Sequence, residues 1–346
     1  MSRIHFDVTH PAHVHLFRHA IRELAEDGHR VAVSSRDKEL TTQLLDAYDI
    51  PHTVLSAMGE GKTSLLSEWS LRGVRTLQFD RAFDPDVVVS RMSPTAVAAA
   101  KLTGAGSVTF HDHEGTNRLA HVLSKFLDRI STPETFEADF GAPHRRHPGV
   151  QELAYLHPDR FTPDRDRLRE YGVEPDEPYA VLRLVSMGAH HDVGVDGITG
   201  ATRRRLVDEL SAHGPVYVSA EGELPQGFPA DDIPVPPEWI HDLLAGASLL
   251  VTDSNTMATE AGLLGTPVIR SGGYAETDEF SNFDALGEAG LVESIADGCA
   301  VVDRASALAA DPDAGSRWRR SRDAYVADAV DVTDHIVETV LEVADG

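Results

Sequence analysis

Residues 249–270 read LLVTDSNTMATEAGLLGTPVIR and combine two secondary-structure patterns. An apolar run at residues 249–252 is typical of a buried parallel strand, and the polar turn at residues 253–256 supplies side chains that cap helices. A small-residue helical stretch then ends at Gly265, shortly before Pro267 and a second apolar run. The segment therefore predicts a strand, a helix and a second strand, which is the repeating unit of a parallel α/β sheet.

The polar turn of this segment is also a predicted anion-binding site. The helix begins at Asp253, Ser254, Asn255 and Thr256, and the first N–H groups of a helix, together with its dipole, attract phosphate. Glu260 follows roughly 9 Å further on, at about 1.5 Å per residue, a distance comparable to that from diphosphate to ribose in one nucleotide. We expect this helix to bind both groups. The alternative is an ordinary α/β unit in which Ser254 caps the helix and Glu260 is solvated.

The motif Glu-Ala-x-x-x-Gly-x-Pro-Val-Ile at residues 260–269 resembles the nucleotide-sugar-binding segment of the GT-B superfamily. That superfamily includes many glycosyltransferases and the non-hydrolysing UDP-N-acetylglucosamine 2-epimerases. In these relatives the glutamate usually binds ribose, which the resemblance implies for Glu260. Asp253-Ser254 also resembles the start of the epimerase signature Asp-Ser-Gly-Gly-x-Gln-Glu-Glu. The two glycines, the glutamine and the first glutamate of that signature are replaced here by Asn255, Thr256, Ala258 and Thr259.

The charge balance of the 346-residue chain excludes several classes of partner. Acidic residues outnumber basic residues 56 to 31, for a net charge of −25. Such a surface repels nucleic acid and anionic lipid, and it stays solvated where salt screens charge. We therefore expect no nucleic-acid partner and a halophilic host with an acidic proteome.

Cysteine content and hydropathy indicate the compartment. Cys299 is the only cysteine, so an internal disulfide and a cysteine-based zinc cluster are both excluded. Residues 1–15 lack an apolar signal core, and no run approaches the roughly 18 apolar residues that a membrane span needs. We expect a cytoplasmic protein that is not an integral membrane protein.

Apolar strand patterns alternate with helical patterns along the chain, which predicts a doubly wound α/β architecture. The first half opens with a strand at residues 4–8, a helix at 14–26 and a strand at 30–34. The second half repeats this pattern from a strand at residues 179–185. Residues 155–164 contain two prolines and no periodicity, and we place the interdomain connection there.

The GT-B resemblance adds a domain arrangement. It implies two Rossmann-like domains that face a central cleft, with residues 1–160 on the acceptor side and residues 161–315 on the nucleotide-sugar donor side. It also implies that the helices of residues 316–346 pack back toward the first domain, with a C-terminal helix crossing to it. The predicted fold is therefore GT-B-like.

Doubly wound sheets bind ligands beyond the carboxyl ends of their strands, so the loop after the first strand is a candidate site. This loop leads into His10, His13 and His15. No carboxylate lies within the cluster, and the GT-B resemblance implies donor binding without a metal, so we expect no metal and no other cofactor. We assign His10 to substrate binding and His13 to catalysis. Structural histidines, or a metal shared by His10 and His13, are the alternatives.

A second charged loop, HDHEG at residues 111–115, follows another predicted strand. A hydrophobic core does not require four ionisable groups in succession. We predict that Asp112 or Glu114 acts as general base toward an acceptor hydroxyl, with His113 orienting it or sharing the proton. The alternative is a solvated turn before a helix that Thr116 caps.

The strand that opens the second half ends near two further candidate residues, Arg183 and Ser186. An arginine binds phosphate as a bidentate donor, and the loop of Ser186 offers backbone N–H groups to an anion. The corresponding loop contacts the diphosphate in many GT-B relatives, so the resemblance implies the same here. We predict both as substrate-binding residues.

Three motifs together resemble a prokaryotic GT-B-like family of unknown function: the His-Pro-x-His-x-His opening at residues 10–15, the His-Asp-x-Glu loop and the Asp-Ser helix. The sequence thus predicts a glycosyltransferase-like enzyme that binds a nucleotide-diphosphate sugar in the interdomain cleft and uses an acceptor of unknown identity. One alternative is a sugar-nucleotide epimerase, which would draw its second proton-transfer group from His190 or His191. The other is a non-enzymatic nucleotide-sugar-binding protein.

Overall fold

The computed structural model describes residues 1–38, 40–57, 62–184, 198, 200–220, 228–272 and 281–346, except for the side chains of residues 62–67 and 117. These residues form two compact units. The first consists of residues 1–160 and 329–346, and the second of residues 161–328. No helix within the described ranges is long and apolar enough to span a membrane.

A parallel sheet forms the centre of the first unit. Its strands are β1 (Arg3–Val8), β2 (Arg30–Asp37), β3 (Thr53–Ala57), β4 (Val87–Ser90), β5 (Gly106–Phe110), β6 (Arg129–Pro133) and β7 (His144–His147). The central strands are apolar runs that are buried on both faces, because helices cover both sides of the sheet. The spatial order β3-β2-β1-β4-β5-β6-β7 reverses between β1 and β4, and such a switch point opens a crevice at the carboxyl ends of the strands.

The helices of the first unit begin where the sequence supplies caps. They are α1 (Pro11–Glu26), α2 (Thr41–Ala47), α3 (Lys62–Phe83), α4 (Pro94–Thr103), α5 (Asn117–Leu123) and α6 (Leu153–Leu156). Pro11 suits the first turn of α1, where its missing N–H costs nothing, and His10 accepts a hydrogen bond from the N–H of Ala12 at 3.2 Å. The Ser93 side chain caps α4 in the same way.

A second parallel sheet forms the centre of the second unit. Its strands are β8 (Ala180–Leu184), β9 (Val216–Ala220), β10 (Asp231–Asp232), β11 (Leu249–Thr252), β12 (Val268–Arg270) and β13 (Glu293–Ser294). The spatial order is β10-β9-β8-β11-β12-β13, so the switch point lies between β8 and β11.

The helices of the second unit surround this sheet. They are α7 (Arg165–Glu170), α8 (Gly200–Leu210), α9 (Ile240–Gly246), α10 (Asn255–Leu264), α11 (Asn282–Glu288), α12 (Gly298–Ala309) and α13 (Ala314–Ala327). Ser254 caps α10, and Gly265 ends it with φ of 76°, a left-handed conformation that suits glycine. The core of the unit includes Leu182, Val251 and Ile269 from the sheet and Leu206 from α8.

The last helix, α14 (Val332–Ala344), belongs to the first unit. Ile336 and Val340 are fully buried, and Oγ1 of Thr333 donates a hydrogen bond to the Ala154 carbonyl at 2.6 Å. Residues 316–346 therefore divide between the units, because α13 lies in the second unit and α14 in the first.

The predicted α/β fold with two parallel sheets is confirmed. Some element boundaries differ: α1 begins at Pro11 instead of residue 14, and β8 begins at Ala180 instead of residue 179. Residue 185, the predicted end of that strand, lies outside the described residues. The sequence did not predict α3, because its apolar residues do not recur at the spacing that makes a stripe on a helix. The helix therefore depends on tertiary packing, because its local sequence has no apolar periodicity.

Candidate functional site

In the second unit, the N-terminus of α10 lies at the carboxyl edge of the sheet, beside the switch point. Oγ of Ser254 accepts a hydrogen bond from the N–H of Met257 at 3.4 Å. This cap does not use the N–H groups of Asn255 and Thr256, the first two residues of the helix. Thr256, the second residue of α10, is half-buried. Asp253 is buried, and its N–H donates to the carbonyl of Arg183 at 3.3 Å. The turn is thus tied to the neighbouring strand β8.

A buried arginine that the sequence analysis did not assign lies behind this helix start. Nε of Arg270 donates to Oδ1 of Asn255 at 2.7 Å, and Nη1 donates to Oγ of Ser294 at 3.2 Å. The guanidinium carbon lies 3.8 Å from the centre of the Phe283 ring. Burial lowers the pKa of Arg270 to about 10, so the side chain remains cationic at neutral pH. Arg270 therefore adds positive charge to the positive end of the α10 dipole.

Arg183 brings a second guanidinium to the same edge. It lies in β8 between Ser219 of β9 and Thr252 of β11, and its Nη1 donates to Oγ of Ser219 at 2.7 Å. The side chain is half-buried. Arg183, Arg270 and the start of α10 therefore converge on the switch point of the second sheet, an arrangement suited to a phosphate group.

Glu260 is buried, which excludes the alternative of a solvated side chain. Its Oε1 lies 3.0 Å from Nε2 of His241 on α9, and the two side chains are 4% and 1% exposed. The ring of Phe161 packs against His241 with its plane nearly perpendicular. His241 was not predicted as a site residue, although it lies on the helix that leads into β11. A buried carboxylate beside a histidine is held in one position, as a ligand-binding group requires.

One predicted donor-site residue, Ser186, falls outside the described residues. His190 and His191, the proton-transfer candidates of the epimerase alternative, also lie outside them. Of the predicted donor-side residues, the structure thus describes Arg183, Asp253, Ser254, Asn255, Thr256 and Glu260.

In the first unit, a buried polar network lies under the carboxyl edge of the sheet. Oδ1 of Asp7 accepts a hydrogen bond from Ser34 at 2.8 Å, Oδ2 accepts one from Ser93 at 2.8 Å, and Arg72 forms an ion pair with the same carboxylate. Nε2 of His5 lies 2.8 Å from Oγ of Ser34. These contacts fix a guanidinium and a carboxylate at the switch point between β1 and β4.

A cavity of about 180 Å³ opens beside this network. Its walls come from the end of β2, from α3 and from the loop after β4, and they include Arg36, Glu68, Trp69, Arg72 and Arg91. Arg36 holds Glu68 by two hydrogen bonds of 2.7 Å each. We call it the switch-point cavity.

Two predicted catalytic residues lie around Arg91 at the mouth of the same crevice. Asp112 forms an ion pair with Arg91, and its side chain is 16% exposed. Burial and the positive charge of Arg91 hold the pKa of His13 well below its usual range, so this imidazole is neutral at neutral pH. A neutral histidine and a carboxylate are both able to accept a proton.

The remaining predicted residues of this edge have local roles. His10 caps α1, and its ring centre lies 5.9 Å from that of His13. His113 and Glu114 belong to the next turn, where Glu114 opens a short 3-10 helix, Glu114–Thr116. Among the described residues, no group of three His, Cys, Asp or Glu side chains is arranged to hold a metal ion.

Arg36, Arg72 and Arg91 were not predicted as site residues. Arg91 directly follows the apolar run of β4, and an arginine at the carboxyl end of a predicted buried strand is a signal that sequence reasoning can use. Arg72 gives no such signal, because its partner Asp7 is 65 residues away and α3 has no helical periodicity.

Comparison with solved structures identifies the fold class. The spinosyn forosaminyltransferase SpnP shares 14% sequence identity over 100% of both chains, with a TM-score of 0.67. The glycosyltransferase VinC in complex with dTDP shares 15% identity over 99% of each chain, with a TM-score of 0.64. The UDP-GlcNAc 2-epimerase from Neisseria meningitidis bound to UDP-GlcNAc shares 15% identity over 98% of this chain and 100% of that chain, with a TM-score of 0.65. The chain therefore has the GT-B fold.

The sequence also places the chain within a family. Residues 2–278 match the family described as "Protein of unknown function (DUF354)", and the chain belongs to this family. A search of curated protein sequences found no match. The predicted resemblance to a GT-B-like family of unknown function is thus confirmed.

Proposed function

We propose that the protein is a glycosyltransferase that binds a nucleotide-diphosphate sugar on its second unit and an acceptor on its first. The convergence of Arg183, Arg270 and the start of α10 at the switch point of the second sheet carries this proposal. Two guanidinium groups and a helix N-terminus suit a diphosphate. Two of the similar structures contain bound dTDP and UDP-GlcNAc, which supports the same ligand class here.

In the proposed reaction, the oxygen of an acceptor hydroxyl forms a bond to the anomeric carbon of the donor sugar. The bond from that carbon to the diphosphate oxygen breaks, and its electron pair leaves with the nucleoside diphosphate. Arg183 and the N–H groups of Asn255 and Thr256, with the hydroxyl groups of Ser254 and Thr256 beside them, stabilise the charge on the leaving group, because fixed dipoles need no reorganisation. Glu260 binds the ribose hydroxyls.

The proton of the acceptor hydroxyl goes to a base on the first unit. Asp112 is the main candidate because its carboxylate forms an ion pair with Arg91, which lines the switch-point cavity. His13 is neutral and lies within the field of the same arginine. Glu114 and His113 are the further candidates of that loop, and His10 contributes to substrate binding.

A ligand-binding experiment tests the proposal. We expect calorimetry in high salt to detect binding of UDP, dTDP or another nucleoside diphosphate and its sugar conjugates. Arg183→Gln should weaken this binding about tenfold or more, because a hydrogen bond to a charged group is lost. Arg204→Gln is the matched control, since Arg204 is an exposed arginine of the same unit. Absence of nucleotide binding, or equal binding by Arg183→Gln, contradicts the proposal.

A sugar-nucleotide epimerase is the second candidate, favoured by the full-length similarity to the Neisseria meningitidis enzyme. The two reactions have different requirements. A transferase releases nucleoside diphosphate rapidly only with an acceptor, whereas an epimerase converts the sugar nucleotide without one. Epimer formation from the donor alone would replace the transferase proposal, and binding without any turnover would favour a non-enzymatic binding protein.

A further inference from the structure

The switch-point cavity has the size of one six-membered ring. Its volume is about 180 Å³, and an engineered protein cavity of about 150 Å³ holds benzene. It lies at the carboxyl edge of the first sheet, where doubly wound folds bind their ligands. The cavity is therefore a candidate site for a compact ligand and is separate from the donor residues of the second unit.

The side chains that line the cavity carry more positive than negative charge, although the chain as a whole carries a net charge of −25. Arg36, Arg72 and Arg91 line it together with one carboxylate, that of Glu68, so the lining residues that the structure describes have two more positive than negative charges. The partners of Arg72 and Arg91, Asp7 and Asp112, are not part of this lining. They hold the guanidinium groups from outside the cavity.

Arg72 provides a donor that no described residue satisfies. The residue is 3% exposed, and its Nη1 donates to the Ser35 carbonyl at 3.1 Å and to Ser56 at 3.2 Å, while Nη2 binds Asp7. Its Nε is buried and has no hydrogen-bond partner among the residues that the structure describes. Buried polar groups are nearly always hydrogen-bonded, so the guanidinium of this lining residue is incompletely satisfied by the described residues.

The surroundings of His13 show that the local field is positive. Burial is the largest cause of the low pKa of His13, and the charges of Arg91, His10, Lys38 and Arg72 lower it further. All four groups disfavour a proton on His13. Two of these groups, Arg72 and Arg91, line the cavity.

Trp69 supplies an apolar wall. It lines the cavity and is 43% exposed, so its indole face is accessible. Binding sites that combine an aromatic wall with a few polar groups are typical of small-molecule sites, and a flat aromatic surface packs against the C–H face of a ring.

We infer that the switch-point cavity binds the acceptor of the proposed reaction, and that this acceptor is a hydroxylated six-membered ring that carries a carboxylate or a phosphate. Arg72 and Arg91 bind the anionic group, and Trp69 packs on the ring. The adjacent Asp112 then receives the proton of a ring hydroxyl. This inference rests on the proposed function and specifies its substrate class.

Calorimetry on the full chain at one fixed salt concentration tests the inference. The probes are glucuronate, glucose 1-phosphate, uncharged glucose and inorganic phosphate. We expect glucuronate or glucose 1-phosphate to bind at least about tenfold more tightly than glucose and than inorganic phosphate, since charge and ring both contribute. The comparison of the two charged sugars shows whether the anion is a carboxylate or a phosphate.

Substitutions in the cavity wall test whether the charged sugar binds there. Arg91→Gln and Trp69→Leu should each weaken binding of the charged sugar about tenfold and leave UDP affinity unchanged, whereas Arg81→Gln, an exposed arginine of the same helix as Trp69, should alter neither. Equal binding of glucose, equal binding of inorganic phosphate, or displacement of the charged sugar by UDP overturns the inference. Nucleotide binding without charged-sugar binding contradicts only this inference, whereas absence of nucleotide binding contradicts the proposed function itself.

Discussion

Oε1 of Glu260 lies 3.0 Å from Nε2 of His241, and both side chains are buried in the second unit. The carboxylate is carried by α10, whose first turn provides the N–H groups of the proposed diphosphate site. His241 restricts its position from the neighbouring helix α9. The hydrogen bond from α9 therefore holds the proposed ribose-binding carboxylate in one position.

Glu260→Gln should weaken nucleotide binding about tenfold, because a neutral amide is a poorer acceptor for ribose hydroxyls than a carboxylate. The amide oxygen still accepts a hydrogen bond from His241, so the fold should persist. Calorimetric titration with UDP or a UDP-sugar measures the effect. Glu288→Gln, at an exposed position of the same unit, is the control. An unchanged affinity would show that Glu260 is a structural partner of His241 only.

Asp112→Asn should reduce turnover by a factor of about 100 or more while nucleotide affinity stays the same, since a general base contributes roughly 10²- to 10⁴-fold. The amide preserves the shape of the side chain beside Arg91. Steady-state rates with donor and acceptor, together with calorimetry, separate the two effects. Glu134→Gln removes an exposed carboxylate of the same unit and should leave the rate intact. Full activity in Asp112→Asn would move the base to Glu114 or His13.

Asp7→Ala should lower the free energy of unfolding by about 3–5 kcal/mol, because it leaves the buried guanidinium of Arg72 without its counter-charge. Urea denaturation measures the loss. Asp46→Ala removes a carboxylate that is 77% exposed and lies 3.8 Å from His52, and exposed pairs contribute only about 0–1 kcal/mol. Similar losses in the two variants would argue against a stabilising role for the buried network.

The stability of the first unit should fall as the pH drops from about 6.5 to about 4. Burial lowers the pKa of His147 to about 3, with the neighbouring His335 acting in the same direction, and burial lowers that of His111 to about 4. The unfolded chain takes up protons in this window and the folded chain does not, so protonation favours unfolding. At pH 7 these histidines are neutral in the folded state, so they do not reduce the free energy of unfolding.

Replacement of His147 isolates its share of this pH dependence. A histidine with a folded pKa of about 3 and an unfolded pKa of about 6.5 accounts for about 2 kcal/mol of the stability lost between pH 7 and pH 5. Urea unfolding of wild type and His147→Gln at the two pH values should differ by about this amount. Parallel pH profiles would mean that His147 is protonated in the folded protein.

Gly265→Ala should destabilise the second unit by more than Gly172→Ala. Both glycines have positive φ, 76° and 77°, which costs an alanine about 1 kcal/mol. A Cβ at Gly265 would also approach Cγ of Arg319 to 2.8 Å and its Cα to 3.1 Å, whereas nothing lies within 4 Å at Gly172. The midpoint temperatures of thermal unfolding of the two variants measure the difference. Equal midpoints would show that α13 adjusts without cost.

The sequence predicted those features that depend on local patterns. The start of α10 at Ser254 and its end at Gly265 follow from short-range capping preferences, and the structure has both. The burial of Glu260 and the position of Arg72 depend on partners distant in the chain, His241 and Asp7. A single sequence holds no signal for such pairings, so neither the polar network nor the cavity could be predicted from it.

The position of α14 has a consequence for biosynthesis. The first unit consists of residues 1–160 and 329–346, so it lacks part of its core until residues 329–346 have left the ribosome. Arg160 pairs with Glu23 in α1 and with Asp331 and Asp334 at the start of α14, and thus joins the two separated parts. The second unit is continuous in the chain. Since domains fold as units during synthesis, the amino-terminal half of this protein must wait for the second unit to be made before its own folding is complete.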